Sequence, residues 1–246
     1  WPFPLVGLEI NAQNTDMPML VDAMENGIRH FHITFPGYSE VKDGMRHEFE
    51  GRLMALRFAE LLNRLRSHRL QYLRAGLCFS VRTPPHLVIA FAEIRKAIIS
   101  NGMSIACWLL DARYASTKEV EESWAFMSNS KAIGEVRVIG LYGGGLQAAN
   151  AVRSGKGASN LSVYAAELLP GVRVGKEQLD LIAQVRAGGG VIMAFNIFGH
   201  NNSWLLSEHI QAEAAKMHCD PTIFLLKWVE HRGFAALVPS LGAEAV

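Results

Sequence analysis

Eight short apolar runs recur along this chain, and seven of them are followed by a stretch with helical spacing. No other feature restricts the fold as strongly. The runs are Leu5–Ile10, Ile28–Thr34, Gly76–Arg82, Ser104–Asp111, Glu135–Tyr142, Leu161–Glu167, Gly190–Asn196 and Phe234–Ser240. Strand-then-helix alternation implies a parallel sheet with crossover helices. Eight repeats, with no Gly-x-Gly-x-x-Gly after the first run, favour a closed (β/α)8 barrel over an open doubly wound sheet. The length of 246 residues suits one such barrel, so 1–246 reads as a single domain without a linker.

The helical stretches have recognisable ends. Met17–Asn26 has Asp16 as N-cap and Gly27 as its stop. A long helix is expected over Met45–Tyr72, where Met54, Phe58, Leu61, Leu62 and Leu65 share one face. Pro84 and Pro85 are read as opening the third helix, which stops at Asn101-Gly102. Thr117 starts the fourth, Gln147–Ala151 is the fifth and Gly175–Arg186 the sixth. Ser207–His218 and Pro221–His231 share the seventh connection, with Asp220-Pro221 as cap and first-turn proline. Only about six residues follow the eighth run, so the last covering helix is expected to be absent. Apolar strand surface left open in this way calls for a homo- or hetero-oligomeric partner or for further residues.

Composition narrows the partners. Lys plus Arg is 24 and Asp plus Glu is 23, which gives no field for nucleic acid or an anionic membrane. No apolar stretch reaches membrane-spanning length. The start, Trp1-Pro2-Phe3-Pro4, has no charged leader and no Met, and reads as trimmed or incomplete. Cys78, Cys107 and Cys219 are unpaired in spacing and read as free thiols of a cytoplasmic protein. The expected partner is a small-molecule substrate.

The runs end on residues able to do chemistry: Glu9 with Asn11, then His32, Arg82, Asp111, Tyr142, Glu167, Asn196 and Ser240. In a parallel barrel these ends converge on one mouth, where chemistry is placed. His32 and Asp111 form a candidate acid–base unit, the carboxylate orienting the imidazole. Arg82 between them is suited to gripping a carboxylate or phosphate. A purely structural ion-pair network of His32, Arg82 and Asp111 is the alternative. Tyr38 beside Arg82 is a candidate proton donor, and equally a rim residue. His30-Phe31-His32 puts two rings on one strand face, but the remaining histidines fall in loops or helices, which argues against a metal. Gly143-Gly144-Gly145 reads as an approach for phosphate or as a plain turn.

Five stretches, in order, carry a family resemblance: LVDAMENGIRHFHITFPGYSE at Leu20–Glu40, KAIGEVRVIGLY at Lys131–Tyr142, Asn160–Tyr164, GVIMAFNIFG at Gly190–Gly199, and Ala214–Ser240. Together they resemble the aldo-keto reductases, which implies an eight-fold barrel and NADPH-dependent carbonyl reduction. Matched residue by residue, however, the family's catalytic Asp falls on His32 and its Tyr on Gly37, with Tyr38 one place on. Its Lys falls on Val81 or Arg82, and its His on Asp111. The Ser-Asn pair that holds the nicotinamide falls on Tyr142-Gly143, the Gln on Leu161, and the Lys-Ser pair near the end on Ser240-Leu241. Tyr142 or Phe195 is placed to stack on a nicotinamide. Candidate cofactor contacts are Tyr142, Asn160, Asn196 and Ser240, for NADP or for no cofactor at all. The resulting expectation is acid–base, non-redox chemistry on a small carbonyl- or carboxylate-bearing metabolite. A divergent NAD(P)H-dependent reductase using Tyr38, or a non-catalytic binding or assembly subunit, stands as the alternative.

Overall fold

A computed structural model describes residues 6–10, 17–34, 44–64, 77–85, 88–100, 102–154, 161–172 and 174–239. The strands are β1 (Val6–Ile10), β2 (His30–Thr34), β3 (Cys78–Thr83), β4 (Ile105–Asp111), β5 (Val136–Tyr142), β6 (Val163–Glu167), β7 (Val191–Phe195) and β8 (Ala235–Pro239). All pair in parallel in chain order, and β8 returns to β1 through Val6 and Ala236, closing the barrel. The helices are α1 (Met17–Glu25), α2 (Gly44–Arg64), α3 (Val88–Ser100), α4 (Thr117–Ala132), α5 (Gly145–Ser154), α6 (Lys176–Ala187), α7 (Glu208–Lys216) and α8 (Pro221–His231).

Local signals set several of these ends. Gly27, at φ 93°, takes the left-handed turn that stops α1, and Ile28 N–H bonds back to the Ala23 carbonyl. Ser116 and Glu119 form a reciprocal capping box at the start of α4. Asp220 caps α8 by accepting from Thr222 N–H at 2.7 Å, with Pro221 in the first turn. Pro84 and Pro85 precede α3, which begins at Val88, and α2 is described to Arg64, so residues 65–72 of the expected long helix lie outside the described residues.

Two apolar layers hold the barrel. Outward strand residues such as Phe31, Ile33, Phe79, Val81, Trp108 and Leu110 pack beneath the helices. Cys107, Leu109, Tyr142, Val163, Ala165 and Met193 pack with one another in the lumen. Strand residues alternate between these layers with period two. One irregularity changes the alternation: in β4, Ala106 and Cys107 both join the inner layer while Ile105 and Trp108 join the outer one. The β3–β4 register shifts at that place, Phe79 pairing with Ile105 and Ser80 with Cys107. This bulge adds one residue and so turns Cys107, Leu109 and Asp111 inward. Unbulged, Asp111 would face the helices.

All three cysteines are free, and burial pushes the Cys78 thiol up to about 11 and holds the Cys107 thiol well above its ordinary value. Among the described residues no helix is long and apolar enough to cross a membrane. Along the β8–β1 seam, a groove of about 230 Å³ is lined by Val6, Ile223, Leu226, Val229 and Ala236 among others.

Trp108 anchors the outer layer. Its ring stacks on Phe91 with centroids 3.5 Å apart, and its Nε1–H donates to Thr83 Oγ1 at 2.7 Å. Thr83→Val keeps the side-chain shape and leaves a buried indole N–H without an acceptor. Urea denaturation is expected to show a loss of about 1–3 kcal/mol. An unchanged midpoint would show that the bond contributes nothing.

Candidate active site

The inward residues divide the lumen. On β1 to β3 they are mainly polar, namely Glu9, His30, His32, Ser80 and Arg82, with Asp111 at the mouth end of β4; lower on β4 and on β6 to β8 they are apolar, among them Cys107, Leu109, Val163, Ala165, Met193, Phe195, Ala235 and Leu237. One half is polar, the other apolar, and Tyr142 at the end of β5 stands between them.

The polar half begins with an absent side chain. A Cβ on Gly7 would come within 2.5 Å of His30 Nδ1, so glycine at this position makes room for the His30 ring. Glu9, two residues on, faces the same way and pairs in register with His32. His30 and His32 are fully buried. Ser80 lies between them, with its Oγ 2.7 Å from His30 Nε2 and 2.7 Å from His32 Nδ1. Burial lowers His30 from 6.5 to about 4. Burial, the Arg82 charge and the neighbouring His30 hold His32 well below its ordinary value. Both rings are therefore neutral at pH 7.

Above them is a charged cluster. Asp111 accepts from Arg113 Nε at 3.0 Å and from Arg113 Nη2 at 2.8 Å, a two-pronged pair, and Arg82 Nε stands 3.7 Å from Asp111 Oδ2. Burial opposes the Arg113 charge, but Asp111 outweighs it and holds the guanidinium protonated. The two guanidinium carbons lie 4.4 Å and 4.9 Å from the centre of the Tyr142 ring. Tyr142 in turn stacks on Phe195 at 4.1 Å and lies nearly parallel to His32 at 6.2 Å. Burial raises the Tyr142 phenol, which stays un-ionised.

Glu9 differs from the other carboxylate. The residue is partly exposed, yet its Oε1 is sealed from solvent with no hydrogen-bond partner among the described residues. Burial raises its carboxyl, against the pull of Arg82 and Arg113. His32 Nε2 is likewise sealed and without a hydrogen-bond partner there. A cavity of about 500 Å³ opens beside this cluster, lined by Arg113, Gly144, Tyr164, Glu167, Gln178 and Phe195 among others.

The structure brings Arg82, Asp111, His32 and Tyr142 to one mouth, but their partnerships differ from expectation. His32 and Asp111 do not form a bonded dyad: Nδ1 of His32 is taken by Ser80, and Asp111 by Arg113. The ion-pair network is Arg82, Asp111 and Arg113, with His32 outside it as a neutral ring. Asn196 sits at the rim, where its amide donates to Glu167 Oε1. Tyr38, Asn160 and Ser240 lie outside the described residues, as does Asn11. Ser80 and Arg113 were missed, although each stands two residues from a named one and therefore on the same strand face or its continuation. Among the described residues no group of three or more His, Cys, Asp or Glu side chains is placed to hold a metal.

Solved structures with this architecture are numerous. An aldo-keto reductase, MGS-M4, from a Medee basin deep-sea metagenome library matches with TM-score 0.71 and 13% identity over 98% of this chain and 82% of its own. Aldose reductase from Schistosoma japonicum matches with TM-score 0.67 and 15% identity, over 98% and 80%. A mutant of Gox0644, solved in complex with NADPH, matches with TM-score 0.69 and 14% identity, over 98% and 80%. This chain has the aldo-keto reductase fold. No protein-family model and no curated protein matches it in sequence.

Within that fold the described cofactor candidates are already engaged. Tyr142 is 2% exposed beneath Phe195 and two guanidiniums, and the Asn196 amide is committed to Glu167.

The raised Glu9 carboxyl has a measurable consequence. The folded state holds that proton more tightly than the unfolded chain, so folding becomes less favourable as pH rises above about 4.5. Glu9→Gln is therefore expected to raise the melting temperature at pH 7, with the gain shrinking toward pH 4.5. A variant no more stable than wild type at any pH contradicts this.

Proposed function

We propose that this barrel is an enzyme that acts on a small carbonyl- or carboxylate-bearing metabolite by acid–base, non-redox chemistry at its C-terminal mouth. One observation carries the reading. Glu9 and His32, paired in register on neighbouring strands, are both pushed toward their uncharged forms, and each has a sealed polar atom without a hydrogen-bond partner among the described residues. Orphaned buried polar atoms are uncommon and costly in folded proteins. A neutral carboxyl beside a neutral imidazole is a proton donor beside a proton acceptor.

The surroundings support it. Arg113 is held flat by Asp111 on one edge, and it lines the neighbouring cavity. A planar guanidinium fixed in this way suits a substrate carboxylate or an enolate oxygen. Glu9 would exchange the proton with the reacting carbon or oxygen, His32 would take part from below, and Arg82 and Arg113 would hold developing negative charge.

The second reading is an NAD(P)H-dependent reductase. A structural neighbour solved with NADPH favours it. Against it stand the inward residues of the second, third and fourth strands, His32, Arg82 and Asp111, and the covered face of Tyr142. Titrating NADPH while following tryptophan fluorescence separates the two. Acid–base chemistry predicts no saturable change at micromolar cofactor. Saturable binding in that range would overturn the non-redox reading.

A further inference from the structure

The Ser80 hydroxyl has one proton and touches two ring nitrogens, His30 Nε2 and His32 Nδ1, each at 2.7 Å. No third partner of Ser80 exists among the described residues, and all three side chains are buried. The hydroxyl can donate to only one of the two nitrogens, and it accepts from the other. With both rings neutral, one facing nitrogen must carry a proton and the other must not.

That condition leaves two arrangements. In the first, His30 Nε2–H donates to Oγ, Oγ–H donates to His32 Nδ1, and the His32 proton therefore sits on Nε2. In the second, His32 Nδ1–H donates to Oγ, Oγ–H donates to His30 Nε2, and His32 Nε2 is a bare lone pair. The rings must match, both protonated at Nε2 or both at Nδ1. A mixed pair breaks one of the two bonds and strands a buried polar atom.

We propose that Ser80 is a positioning residue: it locks His30 and His32 into a shared tautomer and makes them a proton relay that sets whether His32 Nε2 meets the mouth as an acid or as a base. The consequence for catalysis rests on the proposed acid–base reading; the matched tautomers do not. Starting from the second arrangement, a proton arriving at His32 Nε2 forms a new N–H bond there. The Nδ1 proton passes to Ser80 Oγ as the hydroxyl proton passes to His30 Nε2. One proton enters, two move one place, and the positive charge ends on His30 with no electrons gained or lost. Moving the charge this way takes it off the ring that the Arg82 guanidinium disfavours; Arg82 acts on His32, while burial is what lowers His30. Gly7 belongs to the device as well, because any side chain there would push the His30 ring off Ser80.

Long-range proton–nitrogen correlation spectra of the nitrogen-15-labelled full chain at neutral pH read the tautomer of each ring. Matched tautomers, or two matched states in exchange, are expected for His30 and His32. Opposite tautomers, or a ring protonated on both nitrogens, overturn the proposal. Ser80→Thr keeps the hydroxyl and is expected to keep the match. Ser80→Ala is expected to change the His32 pattern, and an unchanged pattern in a folded Ser80→Ala protein also overturns it. If neither variant folds, the wild-type spectrum decides alone. Because the spectrum reads rings and not turnover, failure of the relay and failure of the acid–base reading are told apart.

Discussion

Asp111 holds the mouth together. Its two oxygens accept the forked edge of Arg113 and draw Arg82 to within 3.7 Å, and both guanidiniums then lie against Tyr142. Tyr142 stacks on Phe195, where the apolar half of the lumen begins. A carboxylate 7% exposed tolerates such a place only because it is bonded on both oxygens. The bulge in β4 is what turns Asp111 inward to meet these partners. Replacing Asp111 with a neutral residue would leave two partly buried guanidiniums beside one aromatic ring without the carboxylate they share.

With the positive charges fixed by Asp111, the second carboxyl and the histidines are shaped by burial more than by pairing. Glu9 shares the field of Arg82 and Arg113, but desolvation is the larger effect and favours the neutral acid. Desolvation also favours the neutral imidazole of His32. Neither condition helps the fold, since each leaves a polar atom enclosed without a bond among the described residues.

Much of the architecture was legible in the sequence because period-two runs and helix-end signals are local. Asp220-Pro221 and Gly27 marked helix ends that the structure keeps. Arg82, Asp111 and Tyr142 could be named from the ends of the apolar runs, whereas Arg113, just past the end of β4, could not. Partnerships were less legible. Nothing local tells that Ser80 reaches both His30 and His32, because that depends on the β2–β3 register, in which His32 pairs with Ser80. Likewise, the extra residue at Ala106–Cys107 that decides the direction of Asp111 has no signature in an unbroken apolar run. The resemblance indicated the fold, and its mismatches at His32, Arg82 and Asp111 fell on residues the structure gathers at one mouth. A fold does not by itself fix the chemistry done on it.

The central claim is that this mouth moves protons and not hydride. Its most direct test is isotope exchange in deuterium oxide without any nicotinamide, following the α-carbon protons of a panel of small 2-oxo acids and aldehydes by NMR. Acid–base chemistry at Glu9 and His32 predicts enzyme-dependent deuterium incorporation into at least one of them, reduced roughly 100-fold or more in a folded Glu9→Gln protein. No exchange across the panel, together with oxidation of NADPH by the same compounds when it is added, would contradict the claim.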